Sequence, residues 1–255
     1  MGRPLPVART GHTPAHYGFD VHVRPATELR RLLGERLPGR VLSRPLAPAE
    51  LVRVAGTLVD EGCRVGLERV PGPDLAGDLE ALVRQVSAAG LADACELTVP
   101  VGLLGRDTAV GIGRLAADVG VAVLLGGPAP DGHLVDLPGA GVVVAAGEAG
   151  AEARCRALAG GHVRLVPGPG RRGAADLAFV RCLNVLMAGE GRPGIAVSGP
   201  RLIAIAGERA AWNGRTSESW ELVMPYGVLT HEQRRLVAAG DTVRVTLTVA
   251  PGGRA

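Results

Sequence analysis

The chain has 255 residues, a formal net charge of +3, 2 % aromatic residues and 28 basic residues, all of them arginine. That length can bury the core of one large α/β domain or of two small ones, and the composition makes the core aliphatic. Without lysine, Schiff-base and lysine-base chemistry are excluded, and arginines dispersed beside acids leave no nucleic-acid footprint.

Residues 1–24 carry three prolines together with His12, His16 and His22, show no sustained period, and read as a flexible tail with solvated histidines rather than metal ligands. Arginines without an apolar run beside them are not expected to form a signal peptide. The stretch 25–61 reads as two N-terminal helices. The first, 25–37, has leucines at 29, 32 and 33 and stops at Pro38-Gly39. The second, 48–61, places Leu51, Val54, Ala55 and Leu58 on one face, with Gly62 as its C-cap.

From 62 to 255 short valine-rich runs alternate with helical stretches. Strands are predicted over 64–70, 95–101, 121–125, 141–146, 162–166, 194–198, 219–224 and 243–249. Helices are predicted over 74–89, 108–119, 149–158, 174–187, 201–213 and 230–239, while the segment after the third strand is too short and too rich in Gly and Pro for one. Near-continuous apolar strands followed by helices argue for a parallel sheet covered on its outside. Eight such units point to a closed (β/α)8 TIM-type barrel rather than an open doubly wound sheet. No helix is predicted after the eighth strand, where Pro251-Gly252-Gly253 follows. A barrel without a final eighth helix exposes an apolar strip at that edge, unless the N-terminal helices cover it. Such a strip favours a protein partner or self-association. Cys63, Cys95, Cys155 and Cys182 lie far apart and read as buried free thiols. No run approaches the ~20 apolar residues of a membrane span, so a cytoplasmic protein is expected.

Four places could carry chemistry. The loop Gly168-Pro169-Gly170-Arg171-Arg172-Gly173 fits G-x-G-x-x-G between a strand and a helix. Backbone N–H groups there, with Arg171 and Arg172, can hold a phosphate or another anion, although Pro169 removes one donor and a plain βα loop is the alternative. Glu68 ends the first strand, on the face where barrel sites form. Glu221 lies within the seventh strand and, if it points inward, needs a partner such as arginine. Tyr226 at the mouth suits either ligand stacking or rim packing. His133, His162 and His231 are isolated, and no metal site is expected.

The runs 179–215, 220–227 ("WELVMPYG") and 232–245 ("EQRRLVAAGDTVRV") resemble the C-terminal half of bacterial proline dehydrogenases. These are flavin-dependent (β/α)8 barrels that oxidise proline to pyrroline-5-carboxylate. Glu221, Met224, Tyr226, Gly227, Gln233, Arg234, Arg235, Leu236 and Gly240 match that family's seventh-strand E-Y/F-Q-M-L-Y/H-G run and its Q-R-R-L-x-x-x-G helix. "CELTVPVGLLG" (95–105) and "HVRLVPGPGRRG" (162–173) sit where the family has its S-x-K-x-S and R-L-x-K-G-A-Y segments.

The resemblance implies FAD as cofactor if the protein is active, with Gly168, Gly170, Arg171, Arg172 and Ser198 as the candidate cofactor-binding residues. It also shows departures: the family's two lysines fall on Pro100 and Pro167, its seventh-strand glutamine on Val223, and the arginine after its glycine on Leu229. The sixth-strand S-H-D/N segment shortens to Ser198-Gly199, the third-strand acidic cluster becomes Gly126-Gly127-Pro128, and the helix carrying the substrate-binding arginines is missing. Two readings follow. One is a barrel that has lost flavin and proline catalysis, needs no cofactor and acts as a binding or regulatory protein. The other is an FAD-dependent oxidoreductase acting on proline or a related imino acid.

Overall fold

The computed structural model describes residues 44–251 except 129 and 169–171; the predicted tail (1–24) and the predicted helix over 25–37 lie outside them. Eight parallel strands close into a barrel in chain order, with the last pairing back onto the first. They are β1 (Arg64–Arg69), β2 (Cys95–Pro100), β3 (Ala122–Gly126), β4 (Gly141–Ala145), β5 (Val163–Val166), β6 (Gly194–Ala196), β7 (Glu221–Pro225) and β8 (Val243–Val249). The helices among the described residues are α1 (Leu51–Asp60), α2 (Leu75–Ala88), α3 (Val101–Leu104), α4 (Arg106–Asp118), α5 (Ala151–Leu158), α6 (Arg172–Met187), α7 (Pro200–Trp212) and α8 (Thr230–Ala238). Among the described residues only a 3₁₀ turn, Pro130–His133, follows β3 before β4 begins, as the run of Gly and Pro there implied.

Side chains alternate across each strand, so one set faces the helices and the other the barrel axis. The outward set (Val65, Leu67, Leu97, Val99, Val123, Leu125, Leu165, Val245 and Leu247 among it) joins the buried helix faces in one aliphatic core. All four cysteines are buried and free, and burial pushes Cys95 up to about 11 and Cys155 to about 12. No helix among the described residues is long and apolar enough to cross a membrane.

At the seam between β8 and β1 the structure takes the alternative the sequence left open, cover by an N-terminal helix. Helix α1 packs against both strands there. It buries Leu51 (0 % exposed), Val54, Ala55 and Leu58. Upstream, the Leu46 N–H donates to the Thr248 carbonyl, and the Ala250 N–H donates back to the Leu46 carbonyl, both at 2.8 Å. The apolar strip left by the absence of a predicted eighth helix is therefore covered by the chain's own helix. After β8 the described residues Ala250 and Pro251 are not helical, as predicted.

Candidate functional site

Position along each strand, counted from its N-terminal end, sorts the inward residues into rows. The lowest row, at the N-terminal ends of the strands, contains Glu96, Arg164, Glu221 and Arg244, with Gly141 and Gly194 beside them. Gly66, Thr98, Leu124, Val143, Val166, Ala196, Val223 and Thr246 come next. The upper positions, at the C-terminal ends, are Glu68, Pro100, Gly126, Ala145, Pro225 and Thr248.

The lowest row is a closed network of charges. Arg244 donates from Nε to Glu221 Oε1 at 2.6 Å and from Nη2 to Oε2 at 3.1 Å, while its Nη1 donates to the Val65 carbonyl at 3.0 Å. Arg164 Nη2 donates to Glu96 Oε1. Each guanidinium also lies 4.0 Å from the other's carboxylate. His162, just ahead of β5, closes the ring through Nε2, 2.7 Å from Glu96 Oε2, while its Nδ1–H donates to the Arg192 carbonyl at 2.8 Å. A carbonyl and a carboxylate both only accept, so both ring nitrogens carry protons and His162 is an imidazolium. Gly141 makes room for it: a Cβ there would stand 2.1 Å from His162 Cδ2.

The electrostatics agree with that protonation. Burial on its own would raise the Glu96 carboxyl, but Arg164, the His162 hydrogen bond and Arg244 outweigh it and hold the group far below the usual carboxylate range. Burial would lower His162, yet the hydrogen bond and charge of Glu96, with Glu221 and the Arg192 carbonyl adding, raise it above its ordinary 6.5. A raised folded value means that this stabilisation is complete below the unfolded value and is lost as pH rises through the folded one. Urea unfolding from about pH 6 to about pH 9 should therefore show falling stability in the wild type, and His162→Gln should remove that part of the slope. Equal slopes in the two proteins would contradict the assignment.

Ligand atoms of Glu96, His162 and Glu221 lie within 4.8 Å of one another, a spacing a metal ion can use. Here the carboxylates already hold two guanidinium ions, so a metal would have to displace Arg164 and Arg244 as well as the proton on His162 Nε2. The cluster is an ion-pair network.

The C-terminal mouth is different in kind. Thr98, Pro100, Val143, Ala145, Val166, Ala196, Pro225, Thr246 and Thr248 face inward yet remain half-buried, so solvent reaches well into the barrel from this end. The mouth is open, lined by small apolar groups and hydroxyls, with the Glu68 carboxylate at its β1 edge. Pro100 and Pro225 end their strands without a backbone N–H, and Pro167 directly follows β5.

The residues singled out from sequence are dispersed by this geometry. Glu68 faces inward at the upper end of β1, level with Thr248. Glu221 opens β7 and belongs to the lower network, at the opposite end from the mouth. Tyr226 follows β7, half-buried against the core, with its N–H on the Thr246 carbonyl at 3.0 Å. Ser198 lies half-buried two residues beyond β6. Gly168 packs so tightly on the neighbouring loop that a Cβ would stand 1.9 Å from the Gly147 nitrogen, a sufficient reason for glycine there without a phosphate. Gly170 and Arg171 lie outside the described residues, and Arg172 is the first residue of α6.

No family model matches the sequence, and no curated protein matches it. The fold matches solved structures of proline utilization A (PutA). For the Bdellovibrio bacteriovorus protein inactivated by N-propargylglycine the TM-score is 0.69, at 15 % identity over 80 % of this chain and 30 % of that one. For the Corynebacterium freiburgense protein it is 0.66, at 16 % identity over 88 % and 30 %. For the D778Y mutant of the Bradyrhizobium japonicum protein it is 0.56, at 16 % identity over 74 % and 26 %. The shared feature is the barrel, and this chain spans about a third or less of the length of each PutA.

Proposed function

We propose that this proline dehydrogenase-like barrel binds a small molecule at its open mouth without flavin redox chemistry, and acts as a binding or regulatory protein. The observation that carries this reading is the donor set of the mouth. A flavin needs hydrogen-bond donors around its ring and cations for its pyrophosphate. The inward positions Pro100, Gly126, Ala145 and Pro225 offer no side-chain donor, and the two prolines offer no N–H either. Among the described residues, the inward-facing arginines lie in the lowest row, engaged with Glu96 and Glu221. Those inward positions do not fit the flavin ring. Four buried reduced thiols accord with the proposed cytoplasmic setting. With α1 on the β8–β1 seam, any partner or self-association proposed for the chain uses another face.

The second reading, an FAD-dependent oxidoreductase of proline or a related imino acid, draws on the likeness to PutA. An absorption spectrum taken after incubation with excess FAD and desalting separates the two. The binding reading expects a colourless protein; retained oxidised-flavin bands would overturn it and call for a proline:dye assay.

A further inference from the structure

We infer that Arg164 is the docking point for the carboxylate of a small ligand entering the barrel through its mouth. This rests on the binding reading and names the class of ligand.

The two arginines of the lowest row are unequally used. Arg244 engages all three nitrogens, two on Glu221 and one on the Val65 carbonyl. Arg164, 2 % exposed, engages only Nη2, and its Nε and Nη1 have no partner among the described residues. Buried N–H groups of a charged side chain are rarely left unpaired, because each costs about 1–3 kcal/mol or more. The guanidinium also reaches upward. Nη1 stands 3.6 Å from where a Cβ on Gly66 would be, so it rises to the second row of the barrel through the gap that glycine leaves. In that same row the Thr98 hydroxyl is buried without a partner, while Thr98 as a whole, Val143, Val166, Ala196 and Thr246 are half-buried beneath the open mouth.

Charge selects the ligand. At the lowest row Glu96 and Glu221 face Arg164, Arg244 and the imidazolium of His162, a local surplus of one positive charge before the edge residue Arg64, itself 3.9 Å from Glu221, is counted; the Glu68 carboxylate stands apart from it, at the mouth. A cation is repelled there, and a neutral apolar group leaves the donors unmet. A carboxylate supplies both the missing charge and the acceptors, taking Nη1–H of Arg164 and the hydroxyl of Thr98.

The test is titration of the purified protein with propionate, and with propionamide at equal ionic strength, followed by calorimetry and by NMR. Saturable binding of propionate but not of propionamide is expected. Thr98→Val, which keeps the ion-pair network, should weaken binding about tenfold. Gly66→Ala, which sets a methyl group against Nη1, should also weaken it. Absence of propionate binding, or binding that both variants leave unchanged, overturns the inference. A flavin-free protein that refuses propionate sinks only this step, whereas retained flavin sinks the reading beneath it.

Discussion

Glu221→Leu is expected to destabilise the protein by about 3–5 kcal/mol, and the double variant Glu221→Leu/Arg244→Met to recover most of that loss. The reasoning turns on what each change leaves behind. In the single variant the Arg244 guanidinium, 6 % exposed, keeps its place in the barrel without the carboxylate that holds two of its nitrogens. An unpaired buried charge costs far more than the pair contributes. The double variant removes both charges and fills the space with aliphatic atoms, at a site walled by Gly194 and the backbone of β1. Urea unfolding with both variants decides it. A single variant within 1 kcal/mol of wild type would mean that water, not packed protein, surrounds the network. The total stability of an ordinary domain is roughly 5–15 kcal/mol, so the expected loss is large enough to read without ambiguity.

The barrel was legible because its strands are near-continuous apolar runs, and β8 has its predicted bounds of Val243–Val249. β7 begins two residues later than predicted. Ser219 is held in a turn by Thr216, through both its N–H and its hydroxyl, and so is unavailable to the ladder. Helix α1 was legible as a helix, but its place against β8 depends on closure of a sheet between strands almost two hundred residues apart.

The lower network was half visible. Glu221 was expected to pair with an arginine if it pointed inward, but nothing in spacing identified Arg244, and His162 read as isolated although Glu96 lies 66 positions away. Partners brought together across a closed barrel leave no periodic trace. One signal was present: Glu96, Arg164 and Arg244 are each the second residue of a strand, and Glu221 the first, so four charges interrupt apolar runs at the same end. Charges placed alike in parallel strands fall at one level of the barrel, where they must neutralise each other. The prolines and glycine of the mouth were visible in the sequence, but whether they left it open or filled was not, because that depends on how the strand ends are arranged around the closed barrel.

Leu51→Ala is expected to destabilise the protein by about 2–5 kcal/mol, whereas Val52→Ala, one residue along and 38 % exposed, should cost well under 1 kcal/mol. Leu51 is wholly buried at the start of α1, where the helix lies on β8 and β1. In most (β/α)8 barrels a helix after the eighth strand covers that seam; here the helix before the first strand does so. Truncating Leu51 opens a cavity in the layer between helix and barrel, at the seam where the sheet closes. The comparison also separates two accounts of the N-terminal region. If residues 44–61 were an appendage, both variants would unfold with the wild-type midpoint in urea. If α1 is part of the wall, Leu51→Ala lowers the midpoint of the whole barrel in one cooperative transition, and Val52→Ala leaves it in place.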